Sequence, residues 1–188
     1  MGKTNHQKRE KILTEIKIPK LIEYFLTTSD ILFNFLKTEY NFSNETGIVD
    51  FNTKPNKVVK VNYDNIPDFF YITNEYTRED IQFEFAYTPA GQTQGREGID
   101  LLVNYRKGKK FKFRISEVFI EIGATDSWIN YMGIGTPQLI NESLNTYKKH
   151  IESNIEFFLN PDLKILQKIL NKRNQKQQEA LKKMGFLE

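Results

Sequence analysis

The apolar period of this chain changes twice along its length, and that change limits the folds open to it. From Ile140, the apolar residues Leu144, Tyr147, Ile151, Ile155 and Phe158 follow at spacings of 4, 3, 4, 4 and 3, the repeat of an amphipathic helix. Ile81, Phe83, Phe85 and Tyr87 instead alternate with Gln82, Glu84 and Ala86, the two-residue repeat of a strand with one buried face. Upstream, Ile12 and Ile16 lie four apart within 7–17, Leu21, Ile22, Tyr24, Phe25 and Leu26 crowd 19–27, and Ile31, Leu32, Phe35 and Leu36 recur at helical spacing in 30–41. Helices at both ends with strands between them predict an α+β fold. N-terminal helices and two long C-terminal helices would pack on a small, mostly antiparallel sheet spanning 47–122.

Turn and cap residues set the expected boundaries. Pro19 interrupts the first helix and opens a second, and Ser29 caps a third, each residue being favoured at a helix start. Ile48–Phe51, Lys57–Val61 and Asp68–Ile72 read as short strands around the turn Asn52-Thr53-Lys54-Pro55-Asn56. Pro89–Gly98 holds three glycines in ten residues and reads as a loop, as does Gly123–Gly135. Gln92, Gln94 and Arg96 in the first loop and Trp128, the only tryptophan, in the second are candidate contact residues.

Ile99–Ile115 reads as a hairpin. A three-residue loop at Arg106-Lys107-Gly108 sets Val103 against Phe111, Leu101 against Phe113, Ile99 against Ile115 and Asp100 against Arg114, which keeps each face uniform. Past a bulge near Ser116-Glu117, Val118, Ile120 and Ile122 continue as a strand. Thr136-Pro137 and Asn160-Pro161 each carry the order of cap then proline, and Leu163, Leu166, Ile169 and Leu170 extend the apolar face of the last helix. One domain over 1–188 is expected, with a helical part at 1–45, a β part at 46–122 and a helical part at 137–188.

Composition removes several chemistries. With no cysteine and only His6 and His150, the chain has no thiolate nucleophile and little material for a metal site or a Ser-His-Asp triad. No apolar run reaches the length of a membrane span and the N-terminus lacks a signal-peptide core, which predicts a cytoplasmic protein. Lysine outnumbers arginine 21 to 6, and 17 asparagines and 20 isoleucines stand against four alanines. That usage follows AT-rich codons and points to a low-GC bacterium or one of its phages. The net charge of +3 is segregated: 1–20 and 161–188 each carry +4, while 21–160 carries −5. Basic ends on an acidic body suit nucleic-acid contact or packing between copies.

Two features suggest docking. Asn171–Glu179 contains no apolar residue, after which Ala180, Leu181, Met184, Phe186 and Leu187 end the chain. A polar stretch followed by an apolar cluster describes a docking arm at 171–188; its alternative is a helix that folds back, returning Leu181 and Phe186 to the core. The hairpin tip carries Arg106, Lys107, Lys109, Lys110, Lys112 and Arg114, six cations in nine residues. Those cations suit phosphates or an acidic neighbouring surface, while the register above buries Phe111 and Phe113.

Glu97-Gly98-Ile99-Asp100-Leu101-Leu102-Val103 followed by Val118-Phe119-Ile120-Glu121-Ile122-Gly123 resembles the PD-(D/E)xK nuclease pattern over about 28 residues. The resemblance implies that Asp100 and Glu121 bind a divalent metal from two strands. Gly123 stands where that pattern has its lysine.

The expectation is a non-catalytic structural protein of a multi-copy assembly, with a phage connector or ring component as its concrete form. Its partners would be further copies of itself and neighbouring assembly proteins, with nonspecific DNA contact through the basic tip and termini. It calls for no cofactor. The metal-dependent nuclease is one alternative. The other is an immunity- or antitoxin-type protein that binds through its acidic strand region, Asp64–Glu84.

Overall fold

The computed structural model describes residues 5–50, 58–59, 70–89, 98–106, 110–125, 131–132 and 135–186, with side chains described from residue 19 onward except at 58–59 and 131–134. The fold is α+β. Helices α1 (Asn5–Leu32) and α2 (Asn34–Thr38) precede strands β1 (Ser43–Asp50), β2 (Val58–Val59), β3 (Phe70–Arg78), β4 (Ile81–Thr88), β5 (Gly98–Tyr105) and β6 (Phe111–Arg114). Helix α3 (Ile115–Glu121), strand β7 (Tyr131–Met132) and helices α4 (Pro137–Ser153), α5 (Ile155–Leu159) and α6 (Leu163–Lys183) follow. The strands run antiparallel in the order β2-β1-β3-β4-β5-β6. At the far edge of β5, β6 covers Leu102–Tyr105 and β7 covers Gly98 and Ile99.

One face of the sheet is apolar, and the helices lie on it. Tyr76, Phe83, Val103 and Phe113 form one row across the strands, and Ile48, Ile72, Tyr87 and Ile99 form another. From α1, Phe25 packs on Tyr87 at 5.1 Å between ring centroids, and just beyond its end Phe33 packs on Phe85 at 4.2 Å. From α5, Phe158 meets Phe83 at 5.2 Å and Phe119 of α3 at 5.8 Å. The predicted stripe of α4 holds: Ile140, Leu144, Tyr147 and Ile151 are buried, as are Ile155 and Phe158 of α5. Thr136 caps α4 as expected, its hydroxyl accepting from the Leu139 amide at 3.3 Å.

The structure corrects six local expectations. Pro19 does not divide the N-terminal helices; it sits inside a single helix of 28 residues. Leu21, Ile22, Phe25 and Ser29 of that helix are all buried at three- and four-residue spacing, and this packing outweighs the local break. Ser29 is therefore no cap. Its hydroxyl donates to the Leu26 carbonyl at 3.1 Å and accepts from Asn74 Nδ2 at 2.7 Å, while the Tyr76 hydroxyl donates to the Ser29 carbonyl at 3.1 Å. A small polar side chain here joins the helix to β3 where an apolar one would strand the Asn74 amide.

The helical part ends at Thr38, and Asn41, at φ 58, turns the chain so that β1 begins at Ser43 rather than at 47. The hairpin register is shifted by two: Tyr105 faces Phe111, Val103 faces Phe113 and Leu102 faces Arg114. An even shift keeps every side chain on its predicted face. Asp100 still reaches Arg114, now diagonally, at 3.0 Å.

Residues 115–121 form α3 instead of the expected strand past a bulge. Ile115, Val118 and Phe119 are buried there while Ile120 is exposed, so the helical period outcompetes the alternation of Val118, Ile120 and Ile122. Finally, Asp162 rather than Asn160 caps α6, accepting from the Lys164 amide at 2.8 Å. Among the described residues no helix is long and apolar enough to cross a membrane.

Candidate functional site

Among the described residues, the contacts that hold helix α6 to the body come from its first half. Leu166 and Ile169 are buried on the core. Lys168 and Lys172 clasp the Glu121 carboxylate at the end of α3, at 2.6 and 2.7 Å, leaving that side chain 8% exposed. Hydrogen bonds from Lys168 and then Lys172 hold its carboxyl below the usual carboxylate range. Arg173 is the last anchor. It grips Glu117 through two guanidinium nitrogens, donates to the Lys112 carbonyl at 3.0 Å and lies over the Phe113 ring at 5.2 Å. The same Glu117 accepts from the Arg114 amide at 2.9 Å at the start of α3. One carboxylate thus fixes the α3 start and the midpoint of α6.

Past Arg173 the helix leaves the body. Residues 174–180 are all exposed, and the side-chain hydrogen bond described there, Gln175 to Glu179 at 3.0 Å, stays within the helix. Ten further helical residues carry the chain roughly 15 Å clear at the α-helical rise. Gly185, at φ +74, stops it. The Phe186 amide donates to the Leu181 carbonyl at 3.0 Å, and the Gly185 amide to the Lys182 carbonyl at 3.0 Å. This is the Schellman arrangement, which brings the residue after the glycine back beside the third-last helical residue. It groups Leu181, Met184 and Phe186 at one tip. Met184 is 60% and Phe186 73% exposed. The fold-back alternative, with Phe186 in the core, is not what the structure has. Leu187 lies outside the described residues.

The basic hairpin borders a concavity of about 370 Å³ lined by Gln82, Glu84, Asn104, Tyr105, Arg106, Lys110, Phe111 and Lys112. One of its cations is paired from within and another is hydrogen-bonded to a neutral amide. Lys112 pairs with Glu84 at 2.8 Å, Glu84 being only 8% exposed, and Arg106 donates to Gln82 Oε1 at 2.6 Å. Asn104 also donates to Gln82 Oε1, at 2.9 Å. Phe111 and Phe113 are buried as predicted, so the hairpin presents charge without a ring for base stacking. Lys110 is exposed. Lys107 and Lys109 lie outside the described residues, as do Gln92, Gln94, Arg96 and Trp128.

The sheet face opposite the helices carries acids abreast. Glu45 faces Glu75 and Glu75 faces Glu84 across β1, β3 and β4. Burial, then Glu84 and Glu45, push the Glu75 carboxyl up. The same surroundings, burial first, raise Tyr71 to about 12. Asp100, on this face, is raised by burial against the opposing pull of Arg114. Among the described residues, no group of three or more His, Asp or Glu is placed to hold a metal.

Asp100 and Glu121 sit in different settings: Asp100 points to Arg114 on the sheet, and Glu121 ends a helix between two lysines. The strand that the nuclease pattern requires around Glu121 is α3. The His150 ring lies tilted against Phe119 at 4.9 Å between centroids, and its pKa is lowered by burial, then by Lys149; it borders the core, as its place beside Ile151 suggests.

Comparison with known protein families, curated proteins and solved structures gave no match.

Proposed function

We propose that this protein is a non-catalytic structural subunit of a multi-copy assembly, joined to its neighbours through the tip of α6. One observation carries the reading: a helix clamped at Arg173 continues into solvent and ends in a capped cluster of Leu181, Met184 and Phe186. Exposed apolar side chains gathered on a rigid support mark interaction sites more often than scattered ones do. The basic residues Lys176, Lys182 and Lys183 beside the cluster meet an acidic body in the segregated charge of the sequence. A ring or connector, of the kind found in phage particles, is the specific form this reading takes, because such assemblies join copies through two different surfaces of one chain.

Light scattering behind size exclusion tests it. The full chain should run as a discrete multimer whose mass falls at least twofold in the double variant Met184→Ser/Phe186→Ser, with far-UV circular dichroism unchanged. A full chain that stays monomeric across a hundredfold concentration range, or a multimer that ignores the double variant, overturns the reading.

A further inference from the structure

The proposal above leaves open what the tip docks on, and the other end of the same helix supplies an answer. Leu163, the first residue of α6, is 64% exposed. It stands at the corner between α5 and α6, where Phe157 and Leu159 are only partly buried. Acids surround this corner. Glu152 is paired with Lys148, but Glu156 and Asp162 are exposed and form no ion pair among the described residues; together they outnumber Lys164. At the opposite end, Lys176, Lys182 and Lys183 are exposed, and none forms an ion pair among the described residues. One helix thus ends in an apolar corner with acids and in an apolar tip with bases.

Resting on the assembly reading, we infer that the occupant of the tip is the α5–α6 corner of a second copy: Met184 and Phe186 pack against Leu163, and Lys182 and Lys183 face Glu156 and Asp162. A tip-to-tip pairing would set three lysines and Glu179 of one copy against the same four of the other, a net positive charge on each side that like-charge repulsion opposes. Within one chain the two ends are kept apart by the length of the helix, about 30 Å at 1.5 Å per residue, so the tip cannot satisfy its own corner. The side of α6 that packs on its own body, Leu166, Ile169 and Arg173, continues at three- and four-residue steps to Ala180 and Met184. A neighbour placed beside the body therefore meets the same helix side that the body does. The contact joins two different surfaces, so it propagates from copy to copy.

The absence of cysteine from the chain makes the contact directly readable. Chains carrying Leu163→Cys alone and Phe186→Cys alone are mixed at equal concentration and oxidised. The expected product is the mixed disulfide, in at least tenfold excess over either homodimer. In parallel, Glu156→Lys, which leaves the Asp162 cap of α6 in place, should lower the multimer mass, and combining it with Lys182→Glu/Lys183→Glu should restore it. Phe186→Cys chains that join mainly to each other, or a mixed disulfide no more abundant than the homodimers, overturn the inference. If the tip variant Met184→Ser/Phe186→Ser dissociates the multimer while the mixed disulfide fails to form, the arm docks elsewhere and only this inference falls. If neither the tip nor the corner variants change the mass, the assembly reading falls with it.

Discussion

The two halves of α6 are one continuous helix held by different forces. Residues 163–173 make a helix because the body needs their apolar side: Leu166 and Ile169 enter the core, and Glu117 and Glu121 of α3 bind Arg173, Lys168 and Lys172. Among the described residues, 174–183 have no such partner on the body. They stay helical through good helix formers (Lys, Gln, Glu, Ala and Leu), one i,i+4 pair and the cap at Gly185. An isolated helix of that length is marginal, because nucleation costs more than a few turns return. The anchored half supplies the nucleus, and the outer half grows from it. A protein that needed only a closed core could end at Arg173.

The strongest way to break this comparison is to remove the anchor. Leu166→Ala, at a fully buried position, should cost about 2–5 kcal/mol of global stability through lost burial and the cavity left behind. Urea denaturation measures it; a loss below about 1 kcal/mol would mean that the first half of α6 is not part of the core.

A smaller effect comes from the clasp on Glu121. Its carboxyl is held below the ordinary range by Lys168 and Lys172. A carboxyl lowered on folding adds stability that is fully present above its unfolded value and is lost as pH falls through the folded one. Both lysines are more than half exposed, so the contribution is of the order of a surface bridge, about 0.5–1 kcal/mol. Glu121→Gln should lower stability by that amount at pH 7, and the gap to the parent should close in acid. Paired denaturation curves from pH 7 down to 3 test this, and a gap that widens in acid reverses the sign of the argument.

The same contrast explains what the sequence made legible. Periodicity reads an apolar face: the α4 stripe and the apolar row of β4 both lie as expected, and so do the faces of the β5–β6 hairpin, while Gln82 and Glu84 on the polar side of β4 are buried too, which the alternation does not show. Register was harder, because a shift of two residues leaves both faces intact and only the loop geometry decides. Ser29 and Pro19 misled because capping and helix-breaking are local tendencies, and burial against β3 overrode them. Residues 115–122 were ambiguous for a similar reason: a short apolar run fits both periods, and only the tertiary setting of Val118 and Phe119 decides. In the docking arm, the polar run and apolar end were visible. The exposure of Leu163 depends on tertiary packing, and the grip of Glu117 on Arg173 joins residues 56 apart in sequence; neither could be read locally. A signal was missed at Gly185: two lysines in a last turn followed by glycine spell a helix end, which fixes where Phe186 must sit.

The smallest expected effect sharpens the comparison most, because it touches the outer half alone. Gln177 is exposed and lies beyond the Arg173 anchor. Gln177→Gly adds backbone freedom worth about 1 kcal/mol against the helix, and no core contact is lost with it. In the dissociated chain carrying Met184→Ser/Phe186→Ser, that substitution should speed amide exchange across 174–183 by about fivefold. Global stability should stay within about 0.5 kcal/mol, as for other surface changes. Exchange at Ile169 should be unchanged, since that residue opens with the core. If Gln177→Gly instead lowered global stability by more than 1 kcal/mol, the outer half would be sharing its helix energy with the body, and α6 would have to be treated as a single cooperative unit. If exchange over 174–183 were unaffected, the arm would already be open in the parent. The tip would then acquire its order only on contact with a neighbour.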